Sequence, residues 1–264
     1  MSEPPPPPPI SQAPPPPPPS PPPPAEKRRR GPFGDAVGLP YIEWTPVTVL
    51  LGVMTAIGIM IVGTAPVAIA DPDLESVAAK DIAQLMVGVA FFFGGLIFAL
   101  TTTGGKLKAA LRALGFRDMA WRQVGLGLVT WLFYLVCAYA LTLVLDPQQE
   151  DVTKDIGGDD GGTLAMIIAG ILIIVIAPIS EEVFFRGFMF AGLRRRLPIW
   201  GAAIISGAVW GSLHLSAGNV DVAIQLTIFG VILAYAYEQS GSLWTPIVGH
   251  TLNNAIAFIY LVTS

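Results

Sequence analysis

Apolar residues in this chain collect into runs of about 20, the length that a helix needs to cross the roughly 30 Å hydrocarbon layer of a bilayer. Because lipid offers the backbone no hydrogen-bond partners, such runs fold as helices. Only 13% of the residues are charged, against about 25% in soluble domains. The sequence therefore predicts an all-α, polytopic transmembrane helical bundle that has the lipid bilayer as a partner.

Seven runs are predicted to span the membrane, at about 46–70, 82–102, 123–145, 163–193, 198–216, 222–238 and 245–262. The polar segment at 216–221 could dip into the bilayer instead of leaving it, which would make eight spans. The single cysteine, Cys137, excludes an intramolecular disulfide, and we expect it to pack in the bundle. No Gly-rich phosphate loop and no basic surface interleaved with aromatic residues is found, so we expect no nucleic-acid partner.

The chain before the first run has a different composition. Residues 1–24 hold 16 of the 25 prolines, which predicts a disordered, polyproline II tail. A semi-rigid spacer is the simpler interpretation, although such a tail could also dock in an aromatic groove of a partner protein. We expect no secretory signal peptide, because a proline run lacks the apolar core of one.

Three parts follow from these patterns. Residues 1–40 form a Pro-rich and basic tail, residues 41–162 hold the first transmembrane helices and an acidic loop, and residues 163–264 form a transmembrane core that carries the polar cluster described below. The acidic loop at 146–162 contains aspartates and glycines but lacks the ligand order of a calcium-binding loop. We therefore interpret it as a solvated connector.

Basic residues fall on one side of the predicted bundle. With the tail inside, 13 of the 15 cationic residues lie on the cytoplasmic side, whereas Asp71, Asp73 and Glu75 and the acidic loop lie on the other. This asymmetry is what the positive-inside rule describes. We expect an integral membrane protein of a bacterial plasma membrane, with its N-terminus in the cytoplasm.

Polar groups cluster inside the fourth, fifth and seventh predicted spans. Ionisable residues in a membrane are costly and persist mainly where they pair, line a cavity or react. The cluster consists of Glu181, Glu182, Arg186, His214, His250, Asn253 and Asn254. The two histidines are the only ones in the chain, so a purely structural role for both, beside two glutamates, is a weak explanation.

Helix geometry suggests how the two glutamates differ. Glu182 and Arg186 are four residues apart, so they share a helix face and can form an ion pair. Glu181 points about 100° away around the helix and has no cation on its own helix. A carboxylate without such a partner, in an apolar environment, suits a general base.

The connection at Leu197-Pro198 predicts a helical hairpin. Glu181 and His214 lie 17 and 16 residues from Pro198, so they would stand at equal height and could face each other. A stripe of small residues would allow the helices to approach closely. It consists of Ala203, Gly207 and Gly211.

Two further features shape the predicted site. Pro178 cannot donate a hydrogen bond to the Ile174 carbonyl, which predicts a kink or opening one turn before Glu181. His250 and Asn254 are four residues apart and share a helix face. A carboxylate base, a histidine that holds the same water, and a His/Asn pair at the oxyanion would suffice for peptide hydrolysis. Ser180 and Ser212 lack the spacing of a nucleophile, and we interpret Ser180 as packing.

The ordered set Glu181-Glu182-xxx-Arg186, Trp210-xxx-His214 and His250-xxx-Asn254 resembles the CPBP family of intramembrane proteases, also called the Abi or CAAX-protease family. The resemblance covers residues 163–258 and implies an intramembrane endopeptidase that acts on membrane-bound or C-terminal CAAX-like peptides. It implies Glu181 as the water-activating base, His214 as its partner, His250 and Asn254 as oxyanion donors, and Glu182 and Arg186 as supporting residues. Trp210 stands where the family usually has Phe, a replacement that conserves bulk.

Other functions remain open from the sequence. Glu181, His214 and His250 could in principle bind Zn²⁺, but no His-Glu-x-x-His helix is present and Glu182 is engaged by Arg186, so we favour a site that requires no cofactor. The same groups could serve a membrane carrier or a proton relay. A catalytically silent scaffold that recruits partners through its proline tail is a third alternative. The polar cluster favours the protease.

Overall fold

A computed structural model describes residues 1, 39–40, 42–144, 158–215 and 220–263. In the segment 158–215, side chains are described from residue 162 onward. The proline-rich tail, the basic residues at 27–30, most of the acidic loop and the polar segment at 216–219 lie outside this description. The predictions for these segments therefore stay predictions, as do the division into three parts and the direction in which the chain crosses the membrane.

All regular structure in the described residues is helical, which confirms the predicted all-α fold. The helices are α1 (Pro46–Ala70), α2 (Val77–Thr102), α3 (Leu107–Ala113), α4 (Trp121–Thr142), α5 (Gly162–Arg194), α6 (Ile199–Ser212), α7 (Val220–Ser240) and α8 (Trp244–Thr263). The predicted spans agree closely with these bounds. The largest difference is at the start of α2, which was predicted at residue 82 and begins at Val77.

Five of these helices, α1, α2, α4, α5 and α7, are long and apolar enough to cross a membrane. The protein is thus an integral membrane protein. Helix α6 is apolar but has only 14 residues, and α8 has 20 residues that include the polar His250 and Asn254. Helix length and composition do not determine whether the chain crosses the bilayer seven or eight times, so the number of spans stays a prediction.

Helix α3 was not predicted. It has seven residues, too few for a span, and carries Lys108 and Arg112. It leads into Gly115, whose backbone φ of 102° lies in the region that favours glycine. A Cβ atom at Gly115 would also overlap the ring of Tyr237, whose hydroxyl donates to the Leu114 carbonyl at 2.9 Å. This turn therefore fixes the end of α3 against α7.

Helix α5 lies at the centre of the bundle and contains two π-helical segments, Leu172–Ile176 and Glu182–Phe190. All nine residues of the second segment are buried. Its phenylalanines meet aromatic residues of α2 and the start of α1, with Phe188 at 5.6 Å from Phe98 and 5.8 Å from Trp44 between ring centroids. Segments of this kind occur frequently at functional sites.

Helix α6 returns antiparallel to α5 after the connection at Leu197-Pro198 and packs closely on α7. The small residues predicted a close helix contact without naming its partner, and the structure shows that the partner is α7. Ala203 is fully buried. A Cβ atom added at Gly207 would lie 2.9 Å from the Thr227 carbonyl oxygen, and one at Gly211 would lie 2.7 Å from the Ala223 carbonyl oxygen. Because these contacts are to backbone atoms that cannot swing away, the helices can approach this closely only with glycine at both positions.

Candidate active site

Glu181 ends the α-helical segment Ala177–Glu181 of α5, and Glu182 begins the following π-helical segment. The Glu181 side chain is only 11% exposed. Its Oε2 atom accepts a hydrogen bond from the indole Nε1 of Trp210 at 2.6 Å and lies 3.9 Å from Nε2 of His250. Glu181 thus meets groups from α6 and α8, and in the described residues it forms no ion pair with an arginine of its own helix.

Glu182 forms the predicted ion pair with Arg186. Its Oε1 atom accepts from Nη1 of Arg186 at 2.7 Å and lies 2.8 Å from Nδ1 of His250. Both charged side chains are fully buried. Arg186 also donates from Nη2 to the Gly230 carbonyl at 3.3 Å. Because a buried charge requires compensation, this network neutralises Glu182 and holds His250 against α5.

His214 lies in the turn that follows α6 and is exposed. Its Nδ1 atom lies 3.2 Å from the Trp210 carbonyl oxygen, and its ring centroid lies 5.3 Å from that of Trp210. His214 and Glu181 line the same cavity, as the predicted hairpin required, but no direct hydrogen bond joins their side chains in the described residues. The hairpin therefore brings the two side chains to one space without pairing them.

Asn254 donates a hydrogen bond from Nδ2 to the carbonyl of Ile173 at 2.9 Å. Ile173 belongs to the first π-helical segment, in which its carbonyl would accept from residue 178. That residue is Pro178, which has no N–H. The predicted opening before Glu181 is therefore a π-helical segment, and Asn254 satisfies the carbonyl that the proline leaves free.

A cavity of about 700 Å³ brings these residues together with the turn between α1 and α2. Its lining includes Glu181, His214 and Asn254 together with the acidic residues Asp73 and Glu75. The remaining lining residues are Leu74, Lys80, Asp81, Gln84, Ala169, Leu172, Ile173 and Ala177. Water and a polypeptide segment could both occupy a space of this size.

The two serines near the site bond to the backbone of their own helices. Ser180 is buried, and its Oγ atom donates to the Ile176 carbonyl at 2.8 Å. Ser212 donates to the Val209 carbonyl at 2.7 Å. Both hydroxyls have local backbone acceptors, which agrees with the interpretation of Ser180 as packing.

The donor groups do not match a metal site in the part of the chain that the structure describes. No three His, Cys, Asp or Glu side chains there are placed to hold one ion. His250 faces Glu182 with Nδ1, and Glu182 is bound by Arg186, which competes with a metal for the same oxygen. We therefore derive no chemical step through zinc, and the need for a cofactor stays untested.

Three residues of the site were missed by sequence reasoning. For Trp210, only the size of the side chain was considered, yet its indole N–H donates a hydrogen bond to Glu181. Gly230 supplies a carbonyl to Arg186, and Ser206 donates to the Phe185 carbonyl at 3.0 Å within the π-helical segment. The indole N–H of a buried Trp generally needs a partner, which was the one available signal. Nothing local marked Gly230 or Ser206.

Comparison with known proteins supports the resemblance seen in the sequence. Residues 163–256 match the family model described as type II CAAX prenyl endopeptidase Rce1-like. This segment contains all six residues of the predicted site. The match covers the C-terminal third of the chain and leaves α1 to α4 outside it. No solved structure matches the chain.

Three curated proteins are similar over part of their length. "Uncharacterized protein YyaK" of Bacillus subtilis is 22% identical over 54% of this chain and 49% of its own length. "Putative membrane peptidase YdiL" of Bacillus subtilis is 27% identical over 32% of this chain and 34% of its own length. "Uncharacterized 24.3 kDa protein" of Escherichia coli is 25% identical over 52% of this chain and 62% of its own length. The chain spans between about a third and two thirds of these relatives. Only one of the three names refers to an activity.

Proposed function

We propose that the protein is an intramembrane endopeptidase that hydrolyses peptide bonds with a water activated by Glu181. The observation that supports this proposal best is the cavity that Glu181, His214 and Asn254 share, with His250 Nε2 at 3.9 Å from the Glu181 carboxylate. A base, an imidazole and an amide donor around one space, with a second imidazole beside the base, are groups that can carry out peptide hydrolysis. The family match to residues 163–256 points to the same activity.

The proposed reaction begins with a water between Glu181 and His214. Glu181 accepts a proton while the water oxygen attacks the carbonyl carbon of the scissile bond. The same carboxyl group then returns this proton to the nitrogen of the leaving amine as the C–N bond breaks. Oε2 of Glu181 is occupied by Trp210, so Oε1 is the oxygen that would take the proton.

His250 and Asn254 would stabilise the negative charge that develops on the carbonyl oxygen. An amide nitrogen has two N–H groups, and the Ile173 carbonyl occupies one of those of Asn254, which leaves the other for the oxyanion. A protonated imidazole donates from both nitrogens. Glu182 faces Nδ1 of His250, so Nε2 is the nitrogen of this imidazole that would face the oxyanion as the second donor.

The substrate would be a peptide that lies in or on the membrane, since the site is built from helices of a membrane protein. C-terminal CAAX-like peptides belong among the candidate substrates because the description of the matching family names a CAAX prenyl endopeptidase. We propose a bacterial plasma membrane as the location, with the N-terminus in the cytoplasm, because 13 of the 15 cationic residues would then lie on the cytoplasmic side. The proline-rich tail would be available there to a protein partner.

The test is to incubate the purified protein in detergent or lipid with a library of membrane peptides that includes CAAX-like sequences, and to identify products by mass spectrometry. We expect Glu181→Gln to abolish cleavage while it retains the fold, because the amide cannot accept the proton. Glu238→Gln is the matched control, since Glu238 pairs with Arg194 away from the cavity. Cleavage by the Glu181→Gln variant at the normal rate would refute the role of Glu181.

Treatment with a chelator tests whether the activity requires a metal cofactor. We expect full activity after prolonged treatment with a strong chelator, together with metal analysis of the treated protein. Loss of activity that Zn²⁺ restores would replace the metal-free mechanism but keep the protease. Absence of cleavage by the wild type, with proton or solute flux in liposomes that Glu181→Gln abolishes, would instead favour a carrier or proton relay. Retention of its cellular function by the Glu181→Gln variant would favour a silent scaffold.

A further inference from the structure

Trp210 contacts four residues of the polar cluster, namely Glu181, Arg186, His214 and His250. It is buried, with 1% of its surface exposed. Its ring centroid lies 5.3 Å from that of His214 and 5.2 Å from that of His250, and the guanidinium carbon of Arg186 lies 4.8 Å from its ring. Its only polar atom, Nε1, lies 2.6 Å from Oε2 of Glu181.

The hydrogen bond is what distinguishes Trp210 from the phenylalanine that the sequence resemblance leads one to expect. A phenyl ring could fill the same space and contact the same histidines, but it has no N–H. Hydrogen bonds to a carboxylate are short and stronger than those between neutral groups. The 2.6 Å contact therefore fixes one oxygen of Glu181 and, with it, the rotation of the carboxylate in the cavity.

This arrangement has a geometric consequence for the proposed reaction. In the described residues, the Trp210 indole is the only protein hydrogen-bond donor to Glu181. Without it, the carboxylate could rotate toward His250 or into the cavity. A base that must meet both a water and a scissile bond loses rate when it is misplaced, and a displacement of about 1 Å can cost about 100-fold.

We propose that Trp210 is a positioning residue that holds Glu181 by its indole N–H so that Oε1 faces the attacking water. The inference rests on the proposed function, since it assigns a role within the same reaction. It predicts that the N–H, and not the bulk of the ring, sets the catalytic rate. Trp210 itself would not touch the substrate or the reacting atoms.

The kinetic test compares three variants. Trp210→Phe keeps an aromatic ring and removes the donor, whereas Trp210→His keeps an N–H at the equivalent position of a five-membered ring. Trp200→Phe is the matched control, because Trp200 lies on the same helix but is exposed and stacks on Tyr235. The binding site for the peptide is unchanged in all three, so a positioning role affects kcat and leaves KM alone.

We expect Trp210→Phe to lower kcat about 10- to 100-fold with KM unchanged within about twofold, since a hydrogen bond to a charged group is typically worth that factor. Trp210→His should recover part of the loss, and Trp200→Phe should behave as the wild type. Circular dichroism melting verifies that each variant folds. A folded Trp210→Phe variant with the kcat of the wild type, or a folded Trp210→His variant no better than Trp210→Phe, would overturn the proposal.

A spectroscopic test does not depend on turnover. The indole N–H groups of the six tryptophans can be observed by ¹H–¹⁵N correlation, and the signal missing from Trp210→Phe belongs to Trp210. We expect its proton to resonate downfield of the other indoles and to move upfield by at least about 0.5 ppm in Glu181→Leu, since the charged acceptor is gone. Glu238→Gln should leave it in place. A Trp210 indole proton with an ordinary chemical shift that does not change in Glu181→Leu would refute the hydrogen bond. A downfield Trp210 proton in a protein that cleaves no peptide would refute only the proposed function.

Discussion

His250 lies 2.8 Å from Glu182, although 68 residues separate them in the sequence. The same carboxylate oxygen accepts a hydrogen bond from Arg186 at 2.7 Å. One buried oxygen therefore connects the ion pair within α5 to the histidine of α8. The position of His250 relative to Glu181 depends on this connection, since His250 has no other polar contact as short within the described part of the chain.

Replacement of Glu182 by Gln should destabilise the protein strongly. Arg186 would remain buried without a negative partner, which typically costs about 3–5 kcal/mol. His250 would also lose its fixed orientation, so activity should fall together with stability. Unfolding in mixed micelles measures the free energy. Glu43→Gln, at an exposed site, is the control and should change the free energy of unfolding by less than about 0.5 kcal/mol. If the Glu182→Gln and Glu43→Gln variants are equally stable, the role of the network is contradicted.

Replacement of Asn254 by Ala should affect both stability and rate. The Ile173 carbonyl would lose its donor, which costs about 1–3 kcal/mol if the group stays buried. The proposed oxyanion donor would be lost as well, and removal of one such donor typically lowers kcat about 100- to 1,000-fold. Asn253→Ala removes a neighbouring amide whose side chain makes no hydrogen bond to the described residues, and it should change neither quantity. If the two alanine variants behave alike, the assignment of Asn254 is wrong.

Replacement of Gly207 by Ala should separate α6 from α7. Its Cβ atom would lie 2.9 Å from the Thr227 carbonyl oxygen, and overpacking of this kind costs about 1–3 kcal/mol. Gly58 on α1 has no atom within 4 Å of the equivalent Cβ position, so Gly58→Ala should be neutral or stabilising by up to about 1 kcal/mol. Melting temperatures in one detergent compare the two. A Gly207→Ala variant as stable as Gly58→Ala would show that the helices can separate freely.

The turn between α1 and α2 should weaken in acid. Hydrogen bonds from the Ser76 side chain, and then from the backbone amides of Ser76 and Glu75, hold the pKa of Asp71 below its ordinary value of 3.8. A lowered pKa means that the stabilisation is present above pH 3.8 and is lost as the pH falls through the folded-state value.

Amide hydrogen exchange at several pH values tests this turn. After correction for the intrinsic exchange rate, protection of the Glu75 and Ser76 amides, which donate to Asp71 at 3.1 Å and 2.9 Å, should fall below pH 3.8. The Ala79 amide donates to the uncharged Ser76 hydroxyl and should lose less protection. In Asp71→Asn, this pH dependence should disappear. Protection of the Glu75 and Ser76 amides that stays constant down to pH 2 would exclude the carboxylate as its source.

Sequence reasoning succeeded where a single segment contains the whole signal. The helices of the bundle follow from apolar runs whose length matches the bilayer, and the Glu182–Arg186 pair follows from a spacing of four residues on one helix. The close contact of α6 with α7 follows from small residues repeated every four positions. The ordered polar residues were sufficient to suggest the family that residues 163–256 match.

Sequence reasoning failed where two distant segments meet. The hydrogen bond from Trp210 to Glu181, the carbonyl of Gly230 beneath Arg186 and the donation of Asn254 to Ile173 each join different helices. Contacts between helices also accompany the two π-helical segments of α5, since Asn254 donates to the Ile173 carbonyl in the first and Ser206 donates to the Phe185 carbonyl in the second.

The amino-acid sequence by itself determined that this chain folds as membrane helices and that two glutamates and His250 lie within them, because the cost of polar groups in lipid is a property of each segment alone. Only the tertiary structure decided which oxygen meets which donor. Helix rotation and the π-helical register set those partners, and both result from packing among α5, α6, α7 and α8, which no single segment specifies.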